Sequence, residues 1–104
     1  MVYNKLVRDK IPKIIESQGR TANTCILSDE EYTLALEQKL DEEVGEFHKD
    51  KTLEELADIL EVVCALAENL GASKEELTNI CQAKHEQRGG FRERVFLLST
   101  DDKL

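Results

Sequence analysis

The sequence predicts an all-α fold: four helices in a four-helix bundle-like arrangement, with a short irregular or strand-like C-terminal tail. Two observations carry this expectation. Three Ser/Thr-x-x-Glu signatures precede runs with helical apolar spacing: Ser28 with Glu31, Thr52 with Glu55, and Ser73 with Glu76. Glycines then stand where those runs should end, at Gly71 and at Gly89-Gly90. Glycine tolerates the positive φ with which many helices close.

The elements follow in chain order. Pro12 suits the first turn of a short helix that reaches about Gln18 and stops at Gly19. Residues 20–27, RTANTCIL, read as a loop. Ser28 opens a second helix, predicted over Asp29–Lys49. Thr52 opens a third that ends at Gly71, and Ser73 a fourth that ends at Gly89-Gly90. The remainder, FRERVFLLSTDDKL, contains RVFLL, which suits either a short strand or an extended segment lying on the bundle.

A chain of 104 residues builds one domain around one core, spanning 1–104. Charged residues make up 35% of it, but apolar residues make up 40% and fall in periodic blocks, which argues against disorder. The net charge of −8 disfavours binding to a nucleic-acid backbone, which runs on clustered Lys and Arg. A polyphosphate remains within reach if a metal ion supplies the local positive charge. Cys25, Cys64 and Cys81 are odd in number and lack C-x-x-C spacing, so they read as reduced thiols of a cytoplasmic protein, with Cys64 in the core. The longest apolar run, VVCALA, is too short to span a bilayer. The start of the chain shows no apolar stretch followed by a small-residue cleavage site.

Rotation at about 100° per residue sorts the helix faces. In the second helix Tyr32, Leu36, Leu40, Val44 and Phe47 form one stripe. Glu43 falls inside it, Glu46 and Lys39 flank it, and Asp41 and Glu42 point away, towards solvent. In the third helix apolar residues cover most of the circumference, including Leu53, Leu56, Ile59, Leu60, Val62, Val63, Leu66 and Leu70. Such a helix should be buried on most sides, and a chain this small would need a partner subunit to do it.

Four acids stand out on these two helices. Glu43 and Glu46 are spaced i, i+3, as are Glu55 and Asp58, so each pair lies on one side of its helix. All border apolar surface. A desolvated carboxylate takes up a proton unless something compensates its charge. Salt bridges, protonation or a bound divalent cation would each serve. Lys39 could neutralise one acid, not four. Hard oxygen donors suit Mg²⁺ or Mn²⁺ rather than Zn²⁺. His48 and His85 are isolated and read as surface residues. The plain alternative is that these are solvated acids favoured by the helix dipole, with Glu55 serving as a cap.

EEVGEF followed by EELADILEVV resembles the E-x-x-E…E-x-x-D signature of the all-α nucleoside triphosphate pyrophosphatases. That superfamily includes MazG-like proteins, dimeric dUTPases and phosphoribosyl-ATP pyrophosphohydrolase. The flanks YNKLVRDKIPKII and KHEQRGGF are similar to a small MazG-like subgroup of house-cleaning pyrophosphatases that act on aberrant nucleotides. The resemblance covers nearly the whole chain. It implies Mg²⁺ (or Mn²⁺) held by Glu43, Glu46, Glu55 and Asp58, and hydrolysis of a nucleoside triphosphate to the monophosphate and pyrophosphate. Either Glu43 or Glu46 would act as general base. The spacing from Glu46 to Glu55 is short, so the turn at 49–52 must be tight. Glu42 is a substitute ligand in another register, and Glu61 is within a turn of Asp58.

The basic residues fall in two groups, Lys5, Arg8 and Lys10 before the first helix, and Lys84, Arg88 and Arg92 around RGGF. With Lys39, they are candidates to bind the phosphates of the substrate, Arg offering a bidentate fork. Cations near a helix C-terminus also suit its dipole without any ligand. The resemblance favours a functional role for Arg8 and Arg88. The expected assembly is a homodimer or higher homo-oligomer, with no nucleic-acid polymer and no membrane as partner. Two other readings stand beside this one: phosphoribosyl-ATP pyrophosphohydrolase of histidine biosynthesis, and a non-enzymatic helical oligomerisation module with solvated acids.

Overall fold

The computed structural model describes residues 1–101. It is all-helical, with four helices and no strand among the described residues: α1 (Ile11–Ser17), α2 (Asp29–Lys49), α3 (Leu53–Asn69) and α4 (Lys74–Arg88). Each lies where its start and stop signals put it. Pro12 sits in the first turn of α1. Ser28 and Ser73 both form complete capping boxes, each hydroxyl accepting from the N3 backbone and each N3 glutamate accepting from the cap backbone. Gly71 closes α3 at φ +89° and Gly89 closes α4 at φ +79°, a backbone state costly for residues with a Cβ.

The third cap departs from expectation. Thr52 accepts from the Glu55 N–H at 3.3 Å, but the reciprocal bond is missing. The Thr52 N–H donates instead to the Asp50 carbonyl at 2.9 Å. Glu55 is thereby released from capping, and its carboxylate joins other acids, as described below.

α2 and α3 form an antiparallel pair joined by residues 50–52. Asn69 near the end of α3 donates to the Thr33 hydroxyl near the start of α2 at 3.0 Å. The α2 stripe faces α3 as predicted: Leu36 is buried, and Tyr32, Leu40, Val44 and Phe47 are half-buried. Among the four described helices, close backbone approach occurs between α2 and α3 and between α3 and α4, and α1 stands apart from the others.

As expected of a chain this small, α3 is not buried on most sides within one chain. Only Val62, Cys64 and Ala67 are buried, while Leu53, Leu56, Leu60 and Leu70 are exposed. One expectation needs correction: the strand alternative for the tail fails among the described residues, because residues 91–101 have no neighbouring strand to pair with; residues 102–104 lie outside the described part. Among the described residues no helix is long and apolar enough to cross a membrane.

Candidate functional site

Three of the four predicted acids converge. Carboxylate oxygens of Glu43 on α2 and of Glu55 and Asp58 on α3 all lie within 4.8 Å of one another, and all three residues are half-buried. The tight 50–52 turn makes this possible by bringing the end of α2 beside the start of α3. Glu46, one turn further along α2, is exposed and outside the group, although its charge is felt by both Glu55 and Lys5.

The N-terminal segment crosses this cluster and supplies cations. Arg8 donates to Asp58 Oδ1 at 2.7 Å and Lys5 donates to Glu42 Oε1 at 3.0 Å. Lys39, from α2 itself, lies 3.3 Å from Glu43 and 3.4 Å from Glu42. Glu42 is therefore not the solvated acid expected from its helix face. It is half-buried between Lys5 and Lys39, because the N-terminal segment covers the side of α2 that rotation alone leaves open.

Each titration shift follows from this arrangement. The hydrogen bond from Lys5 holds the Glu42 carboxyl below the usual range against the opposing cost of burial, with Lys39 adding to it. The same hydrogen bond raises Lys5. Glu55 moves the other way. Loss of water raises it first, and the charges of Asp58, Glu46, Glu43 and Asp50 add to the effect. Among the described residues no cation lies within ion-pairing distance of Glu55.

The count of charges decides what the cluster can do. Lys5, Arg8 and Lys39 face Glu42, Glu43, Glu55 and Asp58, so one negative charge is left over, before the exposed Glu46 is added. The donor set is all carboxylate oxygen. Across an octahedral Mg²⁺ ion, opposite oxygens stand about 4.2 Å apart, given bonds near 2.1 Å. Three oxygens cannot all stand opposite one another, and neighbouring positions are about 3.0 Å apart, so oxygens now within 4.8 Å of one another would have to draw together around the ion. The residues fit a small hard divalent cation.

The other candidate residues are dispersed. Lys10 is the exposed residue before α1. Glu61 is exposed on α3. His48 and His85 are also exposed, as expected. Lys84 is exposed on α4, and Arg88 ends that helix beside an open concavity of about 690 Å³. Arg92, Phe91 and Gly90 line the same concavity, which includes none of the converging acids. At Gly90 an added Cβ would stand 3.0 Å from the His85 ring, a tight contact that the exposed His85 side chain can relieve by turning away. The strap role of residues 5–8 had no signal in helix periodicity; only the basic character of Lys5 and Arg8 marked them.

An uncharacterized protein of Mycolicibacterium smegmatis is 52% identical to this chain over 48 residues, which make up 46% of this chain and 49% of that relative. The chain thus matches about half the length of that curated relative. No protein-family profile matches the chain. No solved structure matches it significantly.

Proposed function

We propose that the protein is a Mg²⁺-dependent nucleoside triphosphate pyrophosphohydrolase, converting a nucleoside triphosphate to the monophosphate and pyrophosphate. The resemblance to MazG-like proteins suggests the reaction, and house-cleaning of aberrant nucleotides in the cytoplasm is its expected setting. The working unit is a homodimer or higher homo-oligomer. The observation that carries the metal reading is the convergence of Glu43, Glu55 and Asp58 with fewer cations than carboxylates.

Glu43, Glu55 and Asp58 would hold the ion, with Glu46 approaching from the next turn of α2. Bound Mg²⁺ (Mn²⁺ is an equivalent probe) would supply positive charge against the phosphates and the leaving pyrophosphate. The chain's own residues do the rest. Glu46 is exposed and, among the described residues, has no ion-pair partner, so it is free to take a proton from the attacking water. Glu43 is tied to Lys39 and is the less available base. Arg8, with its guanidinium at the edge of the cluster, would exchange Asp58 for a phosphate oxygen. Lys5 would do the same from Glu42.

The test is a panel of nucleoside triphosphates, with phosphoribosyl-ATP included, scored by pyrophosphate release with Mg²⁺ and with EDTA. Turnover that requires Mg²⁺ and disappears in both Glu43→Gln and Asp58→Asn supports the reading. Turnover of phosphoribosyl-ATP above all others shifts it to that substrate. No release from any member of the panel leaves the helical oligomerisation module as the better account.

A further inference from the structure

Glu42 and Glu43 are neighbours in the chain with different surroundings. Successive residues of a helix point about 100° apart. Glu43 faces α3 and joins Glu55 and Asp58, while Glu42 faces the segment before α1 and stands outside that group. Both oxygens of Glu42 are engaged. Oε1 accepts from Lys5 Nζ at 3.0 Å, and Oε2 accepts from Lys39 Nζ at 3.4 Å. Lys39 also lies 3.3 Å from Glu43 Oε1, because it stands three residues from one acid and four from the other.

Two ammonium groups on one carboxylate leave a positive charge at the rim of the converging acids. Without an acid between them the two lysines would repel each other and part. Lys39 belongs to α2 and its side chain is only 16% exposed, so it stays in place. Lys5 has no such support. Among the described residues, the segment before α1 makes no backbone hydrogen bond to α2 or α3. Arg8 ties that segment to Asp58, but the ammonium of Lys5 is placed beside α2 by Glu42.

We infer that Glu42 is a positioning residue for the triphosphate: it takes no metal ion, and it holds Lys5 and Lys39 together beside the ion site, ready for the phosphates. The inference rests on the metal and triphosphate reading above and gives Glu42 its role within it. An ammonium has three donors, so each lysine keeps at least one for a phosphate oxygen. Ordering a lysine side chain costs entropy. Glu42 moves that cost from binding to folding, which tightens the hold on the phosphates. Lys5 then passes from Glu42 to a phosphate oxygen over a short path. The alternative, Glu42 as an ion ligand in another register, requires it to shed both lysines and turn towards α3.

The experiment is calorimetry on the full chain. Mn²⁺ is titrated first, and inorganic tripolyphosphate is then titrated into the Mn²⁺-loaded protein at the same free Mn²⁺. Wild type is expected to bind both. Glu42→Gln should keep its Kd for Mn²⁺ within about threefold, and should bind tripolyphosphate about tenfold more weakly, the loss of one charge-assisted contact. The sign is diagnostic, since the bare loss of a negative charge would draw a polyanion in more tightly. Lys5→Gln should give the same weakening. The double variant should be no weaker than either single one, because the acid and the lysine act as a unit. Glu42→Gln preserves shape at a residue one-third exposed, so the fold should be spared, and circular dichroism checks it. Three outcomes would overturn the inference. Loss of Mn²⁺ binding in Glu42→Gln, as in Glu43→Gln, makes Glu42 an ion ligand. Tripolyphosphate held as tightly as by wild type, or more tightly, makes it a surface acid. Losses that add in the double variant separate Glu42 from Lys5. A wild type that binds neither Mn²⁺ nor tripolyphosphate removes the metal reading itself, and this role with it.

Discussion

Arg8 and Asp58 are fifty residues apart in the chain, yet the guanidinium of one donates to a carboxylate oxygen of the other at 2.7 Å. The bond pins the segment before α1 to the first turns of α3. It also sets a positive charge on one of three converging acids. A divalent ion using Asp58 must therefore compete with Arg8 or share that carboxylate with it. Both side chains are about half-exposed, so the pair is worth at most about 1 kcal/mol. Arg8→Gln is accordingly expected to tighten Mn²⁺ binding to the nucleotide-free protein by up to about fivefold. Under the proposed reaction the same variant loses kcat/KM for the triphosphate. Calorimetric titration with Mn²⁺ reads the first effect. Weaker Mn²⁺ binding in the variant would show that Arg8 supports the cluster rather than rivals the ion.

The carboxylates themselves are tested by ligand-linked stability. An ion that binds the folded chain alone stabilises it by about 2.7 kcal/mol at a hundredfold excess over Kd. Saturating Mg²⁺ should raise the wild-type melting temperature by several degrees, an effect that EDTA reverses. Glu43→Gln and Asp58→Asn should each abolish the rise. Retention of the full rise in both would move the ion elsewhere.

Glu55 makes a pH prediction whose sign is fixed. Lost hydration and neighbouring acids raise its pKa above the ordinary value of 4.5. Between that ordinary value and the raised one, the folded state binds more protons than the unfolded state, so stability falls as pH rises. In EDTA, Glu55→Gln is expected to flatten this decline and to melt higher than wild type at neutral pH. Urea unfolding from pH 4.5 upwards measures it. A steeper decline in the variant would mean that Glu55 has a stabilising partner.

The helix caps differ in what they contribute. Ser28→Ala breaks a complete capping box and should cost about 1 kcal/mol, a drop of about 5 °C in Tm. The Ser28 N–H also holds the Glu31 carboxyl low, so this part of the stabilisation is lost as pH falls below the usual glutamate range. At Thr52 only the hydroxyl half of the box exists. Removing the Glu55 carboxylate should therefore leave the α3 cap intact, whereas Glu31→Ala should weaken that of α2. Thermal melts of Ser28→Ala, Glu31→Ala and Glu55→Gln at pH 7 compare them directly.

Helix boundaries could be read from the sequence because their signals are local. A capping hydroxyl bonds an N–H three residues away, and a closing glycine needs only its own φ. Ser28, Ser73, Gly71 and Gly89 therefore mark real ends. The Thr52 signature misled in one respect, since Glu55 had a choice between its own cap and the acids of α2 that no local pattern records.

The chain alone determined the number of helices, their bounds and the concentration of acids on the two longest. Tertiary structure decided which acids meet. Glu43, Glu55 and Asp58 converge because the 50–52 turn folds α3 back along α2, while Glu46, one turn on, faces water. It also decided where the cations go, as Lys5 and Arg8 reach Glu42 and Asp58 across 37 and 50 residues. Helical periodicity reports the direction of a side chain from its own axis. Which charge waits in that direction depends on where distant segments of the chain come to rest.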